Sequence, residues 1–131
     1  MKRRLWLGIL LLLTACFRNG ASTNIELTIS DFHFTPDRIS VPAGQEITLH
    51  VSNEGFVSHQ IAVFKLGTNP GEKFDSTDKE NIYWMFEVLP GRTGTAVFTA
   101  PVEPGEYYFA CGIFGHLEAG MIGKLVVVEN K

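Results

Sequence analysis

Two cysteines in 131 residues are too few for a disulfide-stapled scaffold, so stability has to come from an apolar core. Long apolar runs are also scarce. The one at Leu5–Leu13 has nine residues, well short of the about twenty that a membrane-spanning helix needs. Charged residues make up only 19% of the chain, and its Lys and Arg form no stripe that would suit nucleic acid. Internal repeats and low-complexity segments are absent too, which removes solenoids and disordered chains from consideration. The length allows one domain but not comfortably two.

The amino terminus has a different character from the rest. Lys2, Arg3 and Arg4 precede the apolar run, and the small residues Thr14 and Ala15 follow it. This is the layout of an export signal over residues 1–15, not of a membrane span. Leu13–Cys16, "LTAC", resembles the lipobox of bacterial lipoproteins. That resemblance implies that Cys16 becomes the first mature residue, carries lipid, and holds the protein to a membrane on the periplasmic or other extracytoplasmic side. Two or more acyl chains make such an anchor stable. The expected organisation is signal 1–15, lipidated Cys16 with a flexible tether to residue 24, and one domain over 25–131. Residues 17–24, "FRNGASTN", reach roughly 27 Å when extended. Without residues 1–15, the 11 basic residues fall by three to 8 against 14 acidic ones, a net charge of −6. With Cys16 lipidated, Cys111 is the remaining thiol and no internal disulfide can form. A lone thiol in an oxidising compartment is either buried and inert or used for chemistry.

From residue 25 onward the hydrophobic period is two. Ile25, Leu27 and Ile29 alternate with polar neighbours, as do Ile47, Leu49 and Val51, the pattern of half-buried strands. Further strands are expected between the prolines of "TPDRISVPAG", at Gln60–Lys65, Thr95–Ala100, Glu106–Cys111 and Lys124–Glu129. Residues 66–93 break the rhythm. There Thr77 is the expected cap of a short helix through "DKENIYWMFEV", with Trp84, Met85 and Phe86 as its packing residues. His33, in "DFHFTP", falls in a loop or bulge without an identifiable partner, and His50 lies on the polar face of its strand, facing solvent. Seven to eight short strands separated by Gly- and Pro-containing turns predict an all-β, antiparallel Greek-key sandwich or barrel with one short helix or loop insertion.

Strand parity brings four side chains towards one end of such a sandwich. Tyr107, Phe109 and Cys111 share a face; Met121 shares one with Leu125 and Val127; His59 shares one with Ile61 and Val63. His116 arches over them from the loop "ACGIFGHLEAGMIG", whose glycines serve its tight curvature. One thiolate, two imidazoles and one thioether make the donor set of a blue-copper electron-transfer site. The His and Met offsets from Cys111 would coincide by chance on the order of one time in a thousand.

The loop Cys111–Met121, C-GIFG-H-LEAG-M, is similar to the copper loop of cupredoxins, its Cys-to-His length matching azurin- and auracyanin-like members. Upstream, "FTPDRISVPAGQEITLHVSNEGFVSHQIAVF" is similar to the family's run into its first histidine. The resemblance spans residues 25–129. It implies a Greek-key β-sandwich holding one type 1 copper ion, cycling between Cu(I) and Cu(II), on His59, Cys111, His116 and Met121. Two departures stand beside the first histidine. Gln60 replaces an Asn that braces the Cys loop in many members, and Ser58 replaces the Gly of azurins; both bear on the reduction potential.

The reading that follows is a membrane-tethered, monomeric electron carrier and not an enzyme, since four protein donors leave no open position for substrate. Its expected partners are redox proteins that dock briefly on an apolar patch of Ile113, Phe114 and Leu117 around an exposed edge of His116. The alternative is a copper carrier or store that delivers the metal to an oxidase. An oxidase or reductase of this kind would need further histidines, and only His33 and His50 are spare.

Overall fold

Residues 20–130 are described in a computed structural model of the chain. The expected export signal, residues 1–15, and the expected lipidation site, Cys16, lie outside those residues. The described chain forms nine strands and one short helix: β1 Asn24–Ser30, β2 His33–Thr35, β3 Arg38–Pro42, β4 Glu46–Asn53, β5 His59–Phe64, α1 Ser76–Glu80, β6 Ile82–Val88, β7 Thr93–Thr99, β8 Gly105–Ala110 and β9 Ile122–Val128. They build two sheets, ordered β2-β1-β4-β7 and β3-β9-β8-β5-β6. In β1, β4 and β9 the apolar residues of one face turn inward, so buried and more exposed positions alternate along their length. The inner faces meet in one core that runs from Ile25, Leu27 and Ile29 on the first sheet to Ile61, Val63, Tyr107, Phe109, Leu125 and Val127 on the second.

The all-β sandwich expectation holds, with three differences. Pairing is mixed: β1 runs parallel to β4, and β3 parallel to β9. Neither pair is joined by a hairpin, so the direction of pairing was not written in any turn. The stretch around His33 is a strand, β2, paired antiparallel with β1. The Ser22 N–H donates to the Ser40 carbonyl at 3.0 Å, and β1 opens at Asn24.

The third difference is the largest. Helix stops at Glu80, and Ile82–Val88 is an edge strand paired with β5 from His59↔Val88 to Phe64↔Ile82. Asp75, not Thr77, caps α1: its carboxylate accepts the N–H groups of Thr77 and Asp78, and Asp78 returns a bond to the Asp75 N–H. "IYWMFEV" is rich in aromatic and branched residues and alternates partly buried with exposed positions, which suits an edge strand better than a helix. Trp84 lies 4.5 Å from Phe98 in a stacked arrangement that bridges the two sheets, while Met85 faces outward at 47% exposure. His50 does point away from the core, but it is half-buried, with Nδ1 3.1 Å from Thr95 Oγ1.

Candidate metal centre

Four chain segments end at one edge of the sandwich and deliver the donors. His59 opens β5, with Ile61 and Val63 buried on the same face. Cys111 follows the last residue of β8, continuing the inward face of Tyr107 and Phe109. Met121 immediately precedes β9. The loop between them closes on itself: the Cys111 N–H donates to the Met121 carbonyl at 3.1 Å, and the Met121 N–H donates to the His116 carbonyl at 3.0 Å. Gly115 and Gly120, at φ 82° and 90°, take the two left-handed positions this path requires.

The donors converge. Cys111 Sγ lies 3.3 Å from His116 Nδ1 and 3.9 Å from His59 Nδ1, and the ligand atoms of all three residues lie within 4.8 Å of one another. Two donors each about 2.0–2.3 Å from one small ion, at angles of roughly 100–130°, are separated by about 3.3–3.9 Å. The three residues therefore fit a single shared ion. His59, Cys111 and Met121 are fully buried and His116 is 7% exposed, so the pocket is dry. A thiolate with imidazoles, and no carboxylate among the converging atoms, favours a soft metal over calcium or magnesium.

The electrostatics follow from that dryness. Burial pushes the Cys111 thiol up, opposed by N–H groups of Gln60 and Ile113 directed at sulfur, while Glu87 adds a smaller upward push. The Gln60 N–H donates to Sγ at 3.3 Å. Gln60 thus braces the Cys loop through its backbone, while its side chain turns outward to Glu87 Oε2 at 3.0 Å. Burial holds the His116 imidazole below the usual histidine range, and neighbouring His59 pushes the same way, against Asp31 and Glu118. The His116 ring is thereby kept neutral and available to a metal near neutral pH. Ser58, the other residue marked beside the first histidine, is half-buried.

The expected apolar patch is only partly present. Phe114 is 87% exposed, but Leu117 is 4% exposed in a second core cluster with Phe64 and Ala110, and Ile113 packs against the main core. A loop that must return to β9 folds its middle inward. The edge of His116 is covered as well: the Phe32 ring stands against it, centroids 5.1 Å apart and nearly perpendicular.

Three supporting residues are missing from the sequence reading. Buried Asn53 donates from Nδ2 to the carbonyls of Val57 and Val88 at 2.9 Å each, and its Oδ1 accepts the Gly55 N–H at 2.9 Å. It pins the loop that delivers His59. The "NEG" of residues 53–55 is the available signal, an Asn bonding the backbone two residues on. Asp31 places Oδ1 3.2 Å from His59 Nε2 and accepts the Phe56 N–H at 3.0 Å. Phe32 is the third, and no local pattern marks it.

Comparison with known proteins agrees with this geometry. A family model described as "Cupredoxin-like domain" matches residues 3–127. The chain is 31% identical over 114 residues to the copper-resistant cuproprotein CopI of Rubrivivax gelatinosus, covering 82% of this chain and 67% of that protein. It is 33% identical over 93 residues to a rusticyanin of Acidithiobacillus ferrooxidans; that match covers 68% of this chain and about half, 49%, of the rusticyanin. Among solved structures, a dithionite-reduced auracyanin from Roseiflexus castenholzii superposes with a TM-score of 0.68 at 31% identity, covering 83% of this chain and 99% of the other.

Proposed function

Since the chain belongs to the cupredoxin-like domain family, we propose that it is a type 1 copper protein that carries single electrons between redox partners. The observation that carries this reading is the convergence of His59 Nδ1, His116 Nδ1 and Cys111 Sγ in a buried pocket, their spacing already that of one ion's ligands. In this reading Met121 completes the set from its buried position beside Cys111. Copper supplies a one-electron couple, Cu(I)/Cu(II). The chain's own work is to keep the donors in one arrangement for both oxidation states. The loop's internal hydrogen bonds, the Gln60 N–H on sulfur and the packed core beneath all oppose rearrangement.

Electrons reach the surface through the His116 end. The apolar rim there consists of Phe114, Phe56 at 90% exposure, Val57, and Phe32 over the ring. A small apolar rim suits brief docking, because electron-transfer encounters bury little area. Four protein donors leave no open coordination position, so the role is that of a carrier and not of an enzyme. Residues 1–15 serve as the export signal and Cys16 as the lipid attachment point, on the strength of "LTAC". Among the described residues no helix is long and apolar enough to cross a membrane; attachment in this reading comes from the lipid. Incorporation of labelled palmitate into the full chain, lost in Cys16→Ala, tests it.

The relatives named as copper-resistant cuproproteins favour a second reading, copper binding for delivery or storage. Burial of all four donors favours the carrier, because handing over metal requires access to it. Visible absorption of the copper-loaded domain, together with its reversible reduction and its copper off-rate, separates the two. Intense blue colour, a reversible couple and slow copper loss are expected. A colourless protein that releases copper quickly to a chelator overturns the carrier reading.

A further inference from the structure

A turn of two residues, Asp31 and Phe32, joins β1 to β2, with Ser30 and His33 paired across it. Phe32 has φ 65°, the one positive value among the described non-glycine residues. A bulky side chain there is strained, and glycine or asparagine would hold the turn more easily. Strain of this kind persists where the surroundings demand a particular side chain. Here both residues of the turn reach the donor cluster. Asp31 Oδ1 lies 3.2 Å from Nε2 of His59, the ring atom turned away from the cluster, and the Phe32 ring stands edge-on to His116.

A third observation comes from a different segment. Gly55 does not have a positive φ, so its backbone conformation does not call for glycine. Space does. A Cβ at position 55 would sit 2.3 Å from Asp31 Oδ1 and 2.9 Å from His59 Nε2. The missing side chain leaves room for the carboxylate–imidazole contact, and the Phe56 N–H beside it fixes the carboxylate at 3.0 Å.

We infer that the Asp31–Phe32 turn is a positioning element for both histidine donors, setting their orientation and, through it, the relative hold on the two oxidation states of the metal. The inference rests on the copper reading above. With His59 protonated on Nε2, that nitrogen donates to Asp31 and the Nδ1 lone pair faces Cys111 Sγ. A carboxylate in this place fixes the tautomer and makes the ligand more basic. Its negative charge also favours Cu(II) over Cu(I). Phe32 acts in the opposite sense: by keeping water from His116 it disfavours the more highly charged state. One turn thus bears on both rings with opposed electrostatic effects.

The test uses the full chain and four variants. In the metal-free wild type, nitrogen NMR should show His59 protonated on Nε2; Asp31→Ala should mix the tautomers. This readout needs no copper, so it stands even if the copper reading fails. Titration with Co(II) should show affinity about 10–100-fold weaker in Asp31→Ala. In the copper form, Asp31→Asn should cut the preference for Cu(II) on the order of tenfold, a rise in midpoint potential of about 59 mV for a one-electron couple. Gly55→Ala should reproduce the tautomer change by pushing the carboxylate away. Phe32→Gly relieves the backbone and should leave the melting temperature unchanged or higher while lowering the midpoint. Wild-type tautomer, affinity and midpoint in both Asp31 variants overturn the Asp31 arm. A Phe32→Gly protein that melts earlier with an unmoved midpoint reduces Phe32 to packing. A wild type that never turns blue refutes the copper reading, not the tautomer result.

Discussion

The loop from Cys111 to Met121 and the turn at Asp31–Phe32 address the same cluster by opposite means. The loop carries three donors within one short segment, and the hydrogen bonds that shape it run mostly between its own residues. The turn carries no donor of the cluster. It reaches His59 from 28 residues away along the chain and touches His116 only because β1 ends at the edge of the sandwich where β8 ends and β9 begins. Donor spacing within a loop must match the size of one ion, so it is written locally. Support for those donors can come from any element the fold brings near.

The sharpest break in that comparison is Cys111→Ser. The change removes the soft donor while barely altering volume, so the Cu(II) form is expected to lose its intense blue colour and keep its fold by circular dichroism. A serine variant that stayed blue would take Cys111 out of the site. On the supporting side the largest effect is expected from Asn53→Ala, which strips partners from the Val57 and Val88 carbonyls and the Gly55 N–H. The cost is about 2–3 kcal/mol, read as a lower denaturant midpoint. A loss below about 0.5 kcal/mol would show that the loop before His59 holds itself.

Proton linkage refines the comparison at smaller scale. The Cys111 thiol is pushed up and the His116 imidazole held down. Near neutral pH, metal uptake therefore releases one thiol proton and none from His116. Affinity should rise tenfold, about 1.4 kcal/mol, per pH unit between roughly pH 6.5 and 8.5. A flat profile by competition titration would mean that the thiolate is already formed. For the metal-free protein the signs work outward from that range. The depressed imidazole lowers stability as pH falls through the unfolded value near 6.5, and the raised thiol lowers it as pH climbs above its unfolded value near 8.5. The smallest structural effect is expected from Met121→Leu, a near volume-conserving change costing less than about 1.5 kcal/mol. Its functional signature is a higher midpoint potential with the colour retained. An unchanged potential would make Met121 a core residue and nothing more.

What could be read in advance depended on the kind of signal. The inward facing of Tyr107, Phe109 and Cys111 follows from a period of two, which maps directly onto the face of a sheet. Ile82–Val88 had no such clarity. Nearly every residue there is apolar, so no period separates helix from edge strand until β5 is present to pair with it. Leu117 and Ile113 were misplaced for a related reason: a loop has no period from which depth can be read. Asp31 and Phe32 gave no signal, since a two-residue turn without glycine or asparagine does not look like a turn.

By itself the sequence determined the strand-rich class, the inward face of each donor strand and the set of donors, because these depend on residue type and short-range period. Tertiary structure alone decided that two Nδ1 atoms come within 3.9 Å of one Sγ, that Phe114 and Phe56 are exposed while Leu117 is buried, and that a carboxylate waits behind His59. The physical reason is that periodicity encodes which way a side chain points. How close it comes to another, across dozens of intervening residues, is settled only when the two sheets pack.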